Sequence, residues 1–522
     1  MQEGSQAHTL ATYDRCFLHS PITRLPYEVL AHVFVEALPS IHTAADVKRP
    51  SNRRVPVSAS HICREWRAIA LATPQLWTHI YLNVDKCKTG EQLRSRAIAL
   101  NIYLERSSRC PLFIKLSYRI PTYNMVPYKE RITTISSVIR SIVDAQFRWR
   151  MVKINFPFRT WLLGYQGMDR IIDKCPIVED MIFHLNGSSE EGMKSLPFKI
   201  NIFEFSQLRS LRFGDWSCVL VDSTFTTFAK LTKFHLGSTS YHSIDTIFAI
   251  FAGAPFLEEV YLQQPYSEFT NLEGAIIRLP CLKVFHLGGE VELTGIRPIG
   301  RARAGKLENI LARLALPALQ DLEVKSDFDS NFGESIVAIC DMVRRSSCQI
   351  VKFRLGCRFV SGPSIIRCLD IMPFVEELDL EFWLFDLDVL CAYLTAQPGI
   401  YRVCTSLQSL TLRYDDPAEY TGCITEMLAT RSPPGAELYP DEGGPMLDEI
   451  GKARYGTSVL RRFSMIYGSS IRDDHIPRFV VDGDLAELVN RGLKVVAKDR
   501  WVDLPVRRLI SDMSEAEDVG KD

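Results

Sequence analysis

PFLEEVYL, Pro255 to Leu262, and PCLKVFHL, Pro280 to Leu287, carry the pattern on which the reading of this chain turns. In each, apolar residues hold the first, fourth and sixth places of a six-residue unit: Leu257, Val260 and Leu262, then Leu282, Phe285 and Leu287. The alternation that closes the unit is the period-two mark of a strand with one buried face. The unit recurs as MVKINF from Met151, VEDMIF from Val178, LRSLRF from Leu208, LTKFHL from Leu231 and LQDLEV from Leu319. It continues as IVKFRL from Ile350, VEELDL from Val375, LQSLTL from Leu407 and LRRFSM from Leu460. Proline stands two positions upstream in five copies, as Pro176, Pro255, Pro280, Pro317 and Pro373. Helix-like stretches such as SIDTIFAIFAGA and GPSIIRCLDIM come before, and proline there would end a helix ahead of the next strand. A strand–loop–helix–loop unit that stacks on its neighbours to bury a continuous core is the expectation.

A different pattern fills Ile22 to Ile80. It opens ITRLPYEVLAHVFVEAL, with Pro26 suited to a first helical turn. At 100° per residue, Val29, Leu30, Val33, Phe34, Ala37 and Leu38 spread over about half the circumference, wider than the stripe of about 100° that one packing neighbour needs. A polar gap, Ser40 to Arg54, leads into VPVSASHICREWRAIALATPQLW, where Ile62, Cys63, Trp66, Ile69 and Ala70 share a face. Thr73-Pro74 stops that helix, and Leu76-Trp77 follow. So short a segment buries little surface, and apolar residues left over mark a partner site.

These residues resemble the F-box, notably its fungal-type version. The match runs through Leu25, Pro26, Glu28, Val29, Leu30, Val33, Phe34, Cys63, Arg64, Trp66, Arg67, Ile69, Ala70, Pro74, Leu76 and Trp77, and departs from it in the insert at Ser40 to Arg54. The resemblance implies docking onto a Skp-type adaptor and, through it, a cullin–RING ubiquitin ligase of the SCF type. The adaptor contact would come from Leu25, Pro26, Val29, Leu30, Val33, Phe34, Ile62, Cys63, Trp66, Ala70, Pro74, Leu76 and Trp77. The repeated units in turn resemble leucine-rich repeats, although the asparagine usual eight residues after the first apolar place occurs only as Asn186.

The expected fold is therefore a small all-α F-box followed by an α-β solenoid, an irregular leucine-rich-repeat horseshoe. The competing reading is an ordinary α/β sheet with eleven strands. Expected boundaries are a disordered stretch over 1–20, the F-box over 21–81, a joining unit over 82–150, the repeats over 151–510 and a disordered tail over 511–522. Residues 414–459, containing SPPGAELYPDEGGP, are expected to form a mobile excursion. Within the joining unit, helices are expected at Gln92 to Ser107 and Tyr128 to Gln146, with the strand LFIKLSY between them.

Bulk composition narrows the function. Lys plus Arg is 61 against 62 for Asp plus Glu, a net charge of -1, which gives no general attraction to nucleic acid or an anionic membrane. No apolar run is long enough to span a bilayer, and the opening residues do not read as a secretory signal. Fourteen cysteines without C-x-x-C spacing suit free thiols in the cytoplasm or nucleus. GRARAGK, Gly300 to Lys306, has phosphate-loop spacing, but Leu307 stands where Ser or Thr would hold magnesium. No catalytic constellation, cofactor motif or metal cluster is found, so a non-enzymatic role is expected.

Target recognition would then fall to outward strand positions: Arg212, His235, Tyr261, His286, Arg354, Asp379 and Arg413. The leading expectation is a substrate-recognition subunit of an SCF-type ligase. An adaptor-bound scaffold with no part in ubiquitination is the second, and a nucleotide-binding enzyme resting on GRARAGK the third.

Overall fold

A computed structural model describes residues 21–38, 55–84, 87, 89–118, 128–157, 175–186, 198–200, 205–214, 218–220, 228–237, 244–262, 274–288, 307–326, 332–384, 387–395, 404, 406–414, 421–431, 460–467, 494–499 and 502–505. The chain divides into two compact units, Met1–Leu208 and Arg209–Asp522.

The first unit opens with helices α1 (Tyr27–Glu36), α2 (Val55–Ser60) and α3 (Arg64–Ala72), then a 3-10 turn, Pro74–Trp77. The chain runs straight on into strand β1 (His79–Asn83), then α4 (Gly90–Arg106), β2 (Leu112–Ser117), α5 (Tyr128–Asp144), β3 (Trp149–Pro157) and β4 (Asp180–Asn186). Strands β1 to β4 pair in parallel in chain order.

In the second unit, β5 (Ser210–Phe213), β6 (Lys233–Leu236), β7 (Glu259–Leu262), β8 (Val284–Leu287), β9 (Asp321–Ser326) and β10 (Lys352–Phe359) pair in parallel. The ladder continues with β11 (Glu377–Leu384), β12 (Ser409–Tyr414), β13 (Arg462–Tyr467) and β14 (Lys494–Asp499). It ends on antiparallel β15 (Val502–Pro505). Helices α6 (Ile244–Gly253), α7 (Leu307–Ala312), α8 (Phe332–Ser346), α9 (Gly362–Asp370), α10 (Leu387–Leu394) and α11 (Thr421–Arg431) lie between strands in sequence.

The expected architecture is thus corrected. The chain is an α/β protein built on parallel strands with interleaved helices, neither a separate all-α F-box nor a leucine-rich-repeat horseshoe. The N-terminal helices do not close on themselves, because Trp77 is roofed by α4. Tyr103 meets its ring edge-on at 5.0 Å, and the Arg106 guanidinium sits 4.4 Å above it. The six-residue alternation reports which face of each strand is buried and leaves open how successive strands are stacked.

The boundaries expected for the joining unit fall close to α4, β2 and α5. Helix α11 lies inside the expected excursion of 414–459, whose residues 432–459 are outside the described residues. Met1 to Ser20, Ser40 to Arg54, GRARAGK and the tail over 511–522 are likewise outside them.

What repeats physically is a turn, a strand and a shared carbonyl. Ahead of most copies the chain makes a tight turn closed by the first apolar residue's N–H. Leu257 donates to the Ala254 carbonyl, Leu282 to Leu279, Leu319 to Leu316 and Val375 to Met372. The proline therefore sits second in a four-residue turn, where its fixed φ is preset. The residue before it is buried, so the working unit is longer than six residues.

One carbonyl at each strand entrance then receives two N–H groups from the next strand. The Arg209 carbonyl takes Thr232 and Lys233, that of Glu258 takes Lys283 and Val284, and that of Gln320 takes Val351 and Lys352. The same two-to-one bond recurs at Thr232, Lys283, Val351, Glu376 and Gln408. A slip of one residue would break every such pair and turn the apolar side chains outward.

Arginines, buried at Arg148 and Arg431 and half-buried at Arg345, satisfy helix ends in place of an asparagine ladder. Arg431 donates to the carbonyls of Leu394 and Cys404, and Arg345 to those of Leu311 and Leu314. In the first unit Arg148 bonds the carbonyls of Leu104 and Cys110 and the Ser107 hydroxyl. Each ties an element to the helix end one layer earlier. Replacing Arg431 with methionine strands two carbonyls in a buried site, at about 1–3 kcal/mol each. Arg431→Met is expected to lower the urea midpoint clearly, whereas Arg344→Met, at an exposed pair with Asp341, leaves it within error.

Candidate functional sites

Two surfaces carry the sequence-derived candidates. On the first, the residues expected to meet an adaptor separate into two sets. Leu30, Phe34, Ala70, Leu76 and Trp77 form a buried core with Ala59 and Ile69, against which Tyr103 of α4 packs, Leu30 at 1% exposure. Phe34 packs on Trp66 with ring centroids 4.7 Å apart, and the Trp77 indole N–H donates to the Ala70 carbonyl at 2.8 Å. Cys63 caps α3 by accepting the Trp66 N–H on its sulfur. Cys63, Trp66 and Pro74 are half-buried.

Leu25, Pro26, Val29, Val33 and Ile62 remain outside. Val33 is 49% and Ile62 50% exposed; Val29 and Val33 lie one turn apart along one side of α1, and Leu25 stands just ahead of its first turn. Tyr27, Val57 and Leu71 add further exposed apolar surface. The wide apolar arc of α1 thus serves two purposes: Leu30 and Phe34 hold the helices together, and Val29 and Val33 face solvent.

The second surface is the side of the second unit's sheet opposite its apolar core. Phe234, Val260, Phe285, Leu322, Phe353, Leu378 and Leu410 point inward and are buried, with Phe251 of α6 edge-on to Phe234. The alternate residues form a register row: Arg212, His235, Tyr261, His286, Glu323, Arg354, Asp379 and Thr411. Six of the seven expected recognition residues stand in this row. Arg413 belongs two places further along its strand, yet its guanidinium grips both Asp379 oxygens, at 3.1 and 3.0 Å.

At the centre of the row, His286 contacts Asp321 at 3.2 Å and Glu323 at 3.4 Å. Arg354 reaches Glu323 at 3.0 Å and Asp321 at 3.4 Å, and Lys325 joins Glu323 at 3.2 Å. Asp321, Glu323 and Lys325 were not among the expected residues. The period-two alternation in LQDLEV already put Asp321 and Glu323 outward, but their convergence required the pairing order of the strands.

His235 stacks on Tyr261, centroids 5.5 Å apart, and Tyr261 meets His286 edge-on at 4.7 Å. No set of three or more His, Cys, Asp or Glu side chains among the described residues could hold a metal ion. No described helix is long and apolar enough to cross a membrane. No protein-family model matches the chain, and no curated protein matches it either.

Burial by itself would raise the carboxyl pKa values of Asp321 and Glu323, but their neighbours more than offset it. The His286 hydrogen bond and the Arg354 charge hold Asp321 below its ordinary value; Lys325, His286 and Arg354 do so for Glu323. A carboxyl depressed in the folded state stabilises above its unfolded pKa, and the stabilisation is lost as pH falls through the folded value. The gap in urea midpoint between the parent and Glu323→Gln is therefore expected at about pH 7 and should shrink towards about pH 3. A gap independent of pH would contradict this reading of the cluster.

Proposed function

We propose that this chain is a substrate-recognition subunit of an SCF-type ubiquitin ligase. Its N-terminal helices dock a Skp-type adaptor that leads to a cullin–RING core, and the polar sheet face holds a protein target. The observation that carries the reading is the exposure of Leu25, Val29, Val33 and Ile62 within the very segment whose residues resemble the F-box. Apolar side chains kept out of a core that their own helix supplies with Leu30 and Phe34 are what an adaptor contact requires.

The sheet face supports the second half. Purely parallel sheets are as a rule covered on both faces. Here the row from Arg212 to Asp379 is covered, among the described residues, only by its own ion pairs and ring contacts. The chain's part in ubiquitin transfer would be positional. It tethers the target to the ligase and raises its local concentration near the loaded enzyme, with no bond made or broken by its own residues.

The test is the affinity of the full chain for a purified Skp-type adaptor. Changing Val29, Val33 and Ile62 together to serine should weaken it by at least about tenfold while leaving the urea midpoint of the free chain unchanged. Leu30→Ala should lower that midpoint, by about 2–5 kcal/mol in stability, since it opens the core. An adaptor affinity indifferent to the triple change would overturn the docking half of the proposal.

A further inference from the structure

The charges of the sheet face are not shared out evenly. Over the strand positions on this side, every described carboxylate is engaged: Glu259 by Lys233, Glu377 by Lys352, Asp379 by Arg413, Glu381 by Lys325, and Asp321 and Glu323 by His286 and Arg354. These pairs consume lysines and arginines along the middle and far strands. At β5 the balance differs. Arg212 is exposed and has no ion-pair partner among the described residues, and Arg209, also exposed, stands three residues earlier.

Next to Arg212 in the register come His235, Tyr261 and His286, three flat half-buried side chains of which Tyr261 touches both histidines. Burial raises the Tyr261 phenol above its ordinary pKa, with Glu259 and Asp321 adding to this and Lys233 and Arg212 opposing it. Arg212 is the register neighbour of His235, which is that of Tyr261, so the guanidinium and the rings line one side of the sheet.

We propose that this patch, from Arg212 across His235 and Tyr261 to His286, docks an acidic segment of a partner protein that carries an aromatic side chain. The proposal rests on the reading that the sheet face selects the target, and it names the chemistry selected. Arg212 offers a fork of N–H donors to a carboxylate, and the ring run offers a surface on which an aromatic side chain stacks. A basic segment finds no counterpart, because its carboxylate partners on this face are already held by cations. Arginine and aromatic residues are also those on which binding energy concentrates at interfaces.

A fluorescein-labelled copolymer of glutamate and tyrosine serves as the probe, read by anisotropy on the full chain. It should bind, with an affinity that falls as salt rises. Polyglutamate should bind at least about fivefold more weakly, and a lysine–tyrosine copolymer still less. Arg212→Glu should weaken the glutamate–tyrosine probe by at least about tenfold and Tyr261→Ser by about fivefold. Arg344→Glu, the same charge change on the exposed side of α8, should leave it unaltered.

Equal loss from Arg212→Glu and Arg344→Glu would reduce the effect to net charge and overturn the proposal. Equal binding of polyglutamate, or of the lysine copolymer, would overturn it as well. Adaptor affinity, measured on the same Arg212→Glu protein, should stay at the parent value. Loss of probe selectivity with adaptor binding intact removes only the partner chemistry, whereas failure of adaptor binding with selectivity intact removes only the ligase role.

Discussion

Eight successive strands of the second unit, β6 to β13, are each placed by a single carbonyl at the entrance of the strand before. The carbonyls of Arg209, Thr232, Glu258, Lys283, Gln320, Val351, Glu376 and Gln408 each receive two N–H groups at the next strand's entrance, at 2.8–3.1 Å. Because a buried polar group left unpaired is costly, this bond and the turn before it set the register together. From that register follows which side chains enter the core and which line up across the polar face. The meeting of His286, Asp321, Glu323 and Arg354, which come from three strands, is a consequence of register rather than of local sequence.

The intervals between copies vary because the constraint acts only at the strand entrance. What lies between may be a long helix such as α8 or a short one such as α7, provided that the chain returns to the turn. Helix ends exposed by this irregularity are satisfied by arginines reaching back from the next layer. Long, always-charged side chains with several donors can span differing gaps, which a short asparagine cannot. Cys340 and Cys368, in sulfur contact at 3.4 Å between α8 and α9, show how closely successive helices pack.

Much of this was legible in the residues. The alternation in LKVFHL and LEEVYL located the strands and their buried faces, and the outward positions it implied are those of the observed row. Local pattern could not distinguish a superhelical stack from a parallel sheet, since alternation reports burial within a strand and not the arrangement of successive strands. It placed prolines after helix ends, as Pro255 stands after α6 and Pro373 after α9, but did not show that Pro255, Pro280, Pro317 and Pro373 each lie second in a turn defined by a buried residue before them. In the N-terminal helices, periodicity revealed a surplus of apolar surface but not its division. That Leu30 and Phe34 belong to the core while Val29 and Val33 do not depends on where α3 and Trp77 settle.

Adaptor docking thus turns on a division of labour within one short helix, one side holding its neighbours and the other facing solvent for a partner. Hydrogen exchange of the full chain, with and without a Skp-type adaptor, tests it most directly. Slower exchange over residues 25–36 and around Ile62, with the entrance amides of Lys233, Val284, Asp321 and Lys352 unaffected, is the predicted result. Unchanged exchange over residues 25–36 at saturating adaptor, or slowing confined to the sheet, would contradict it.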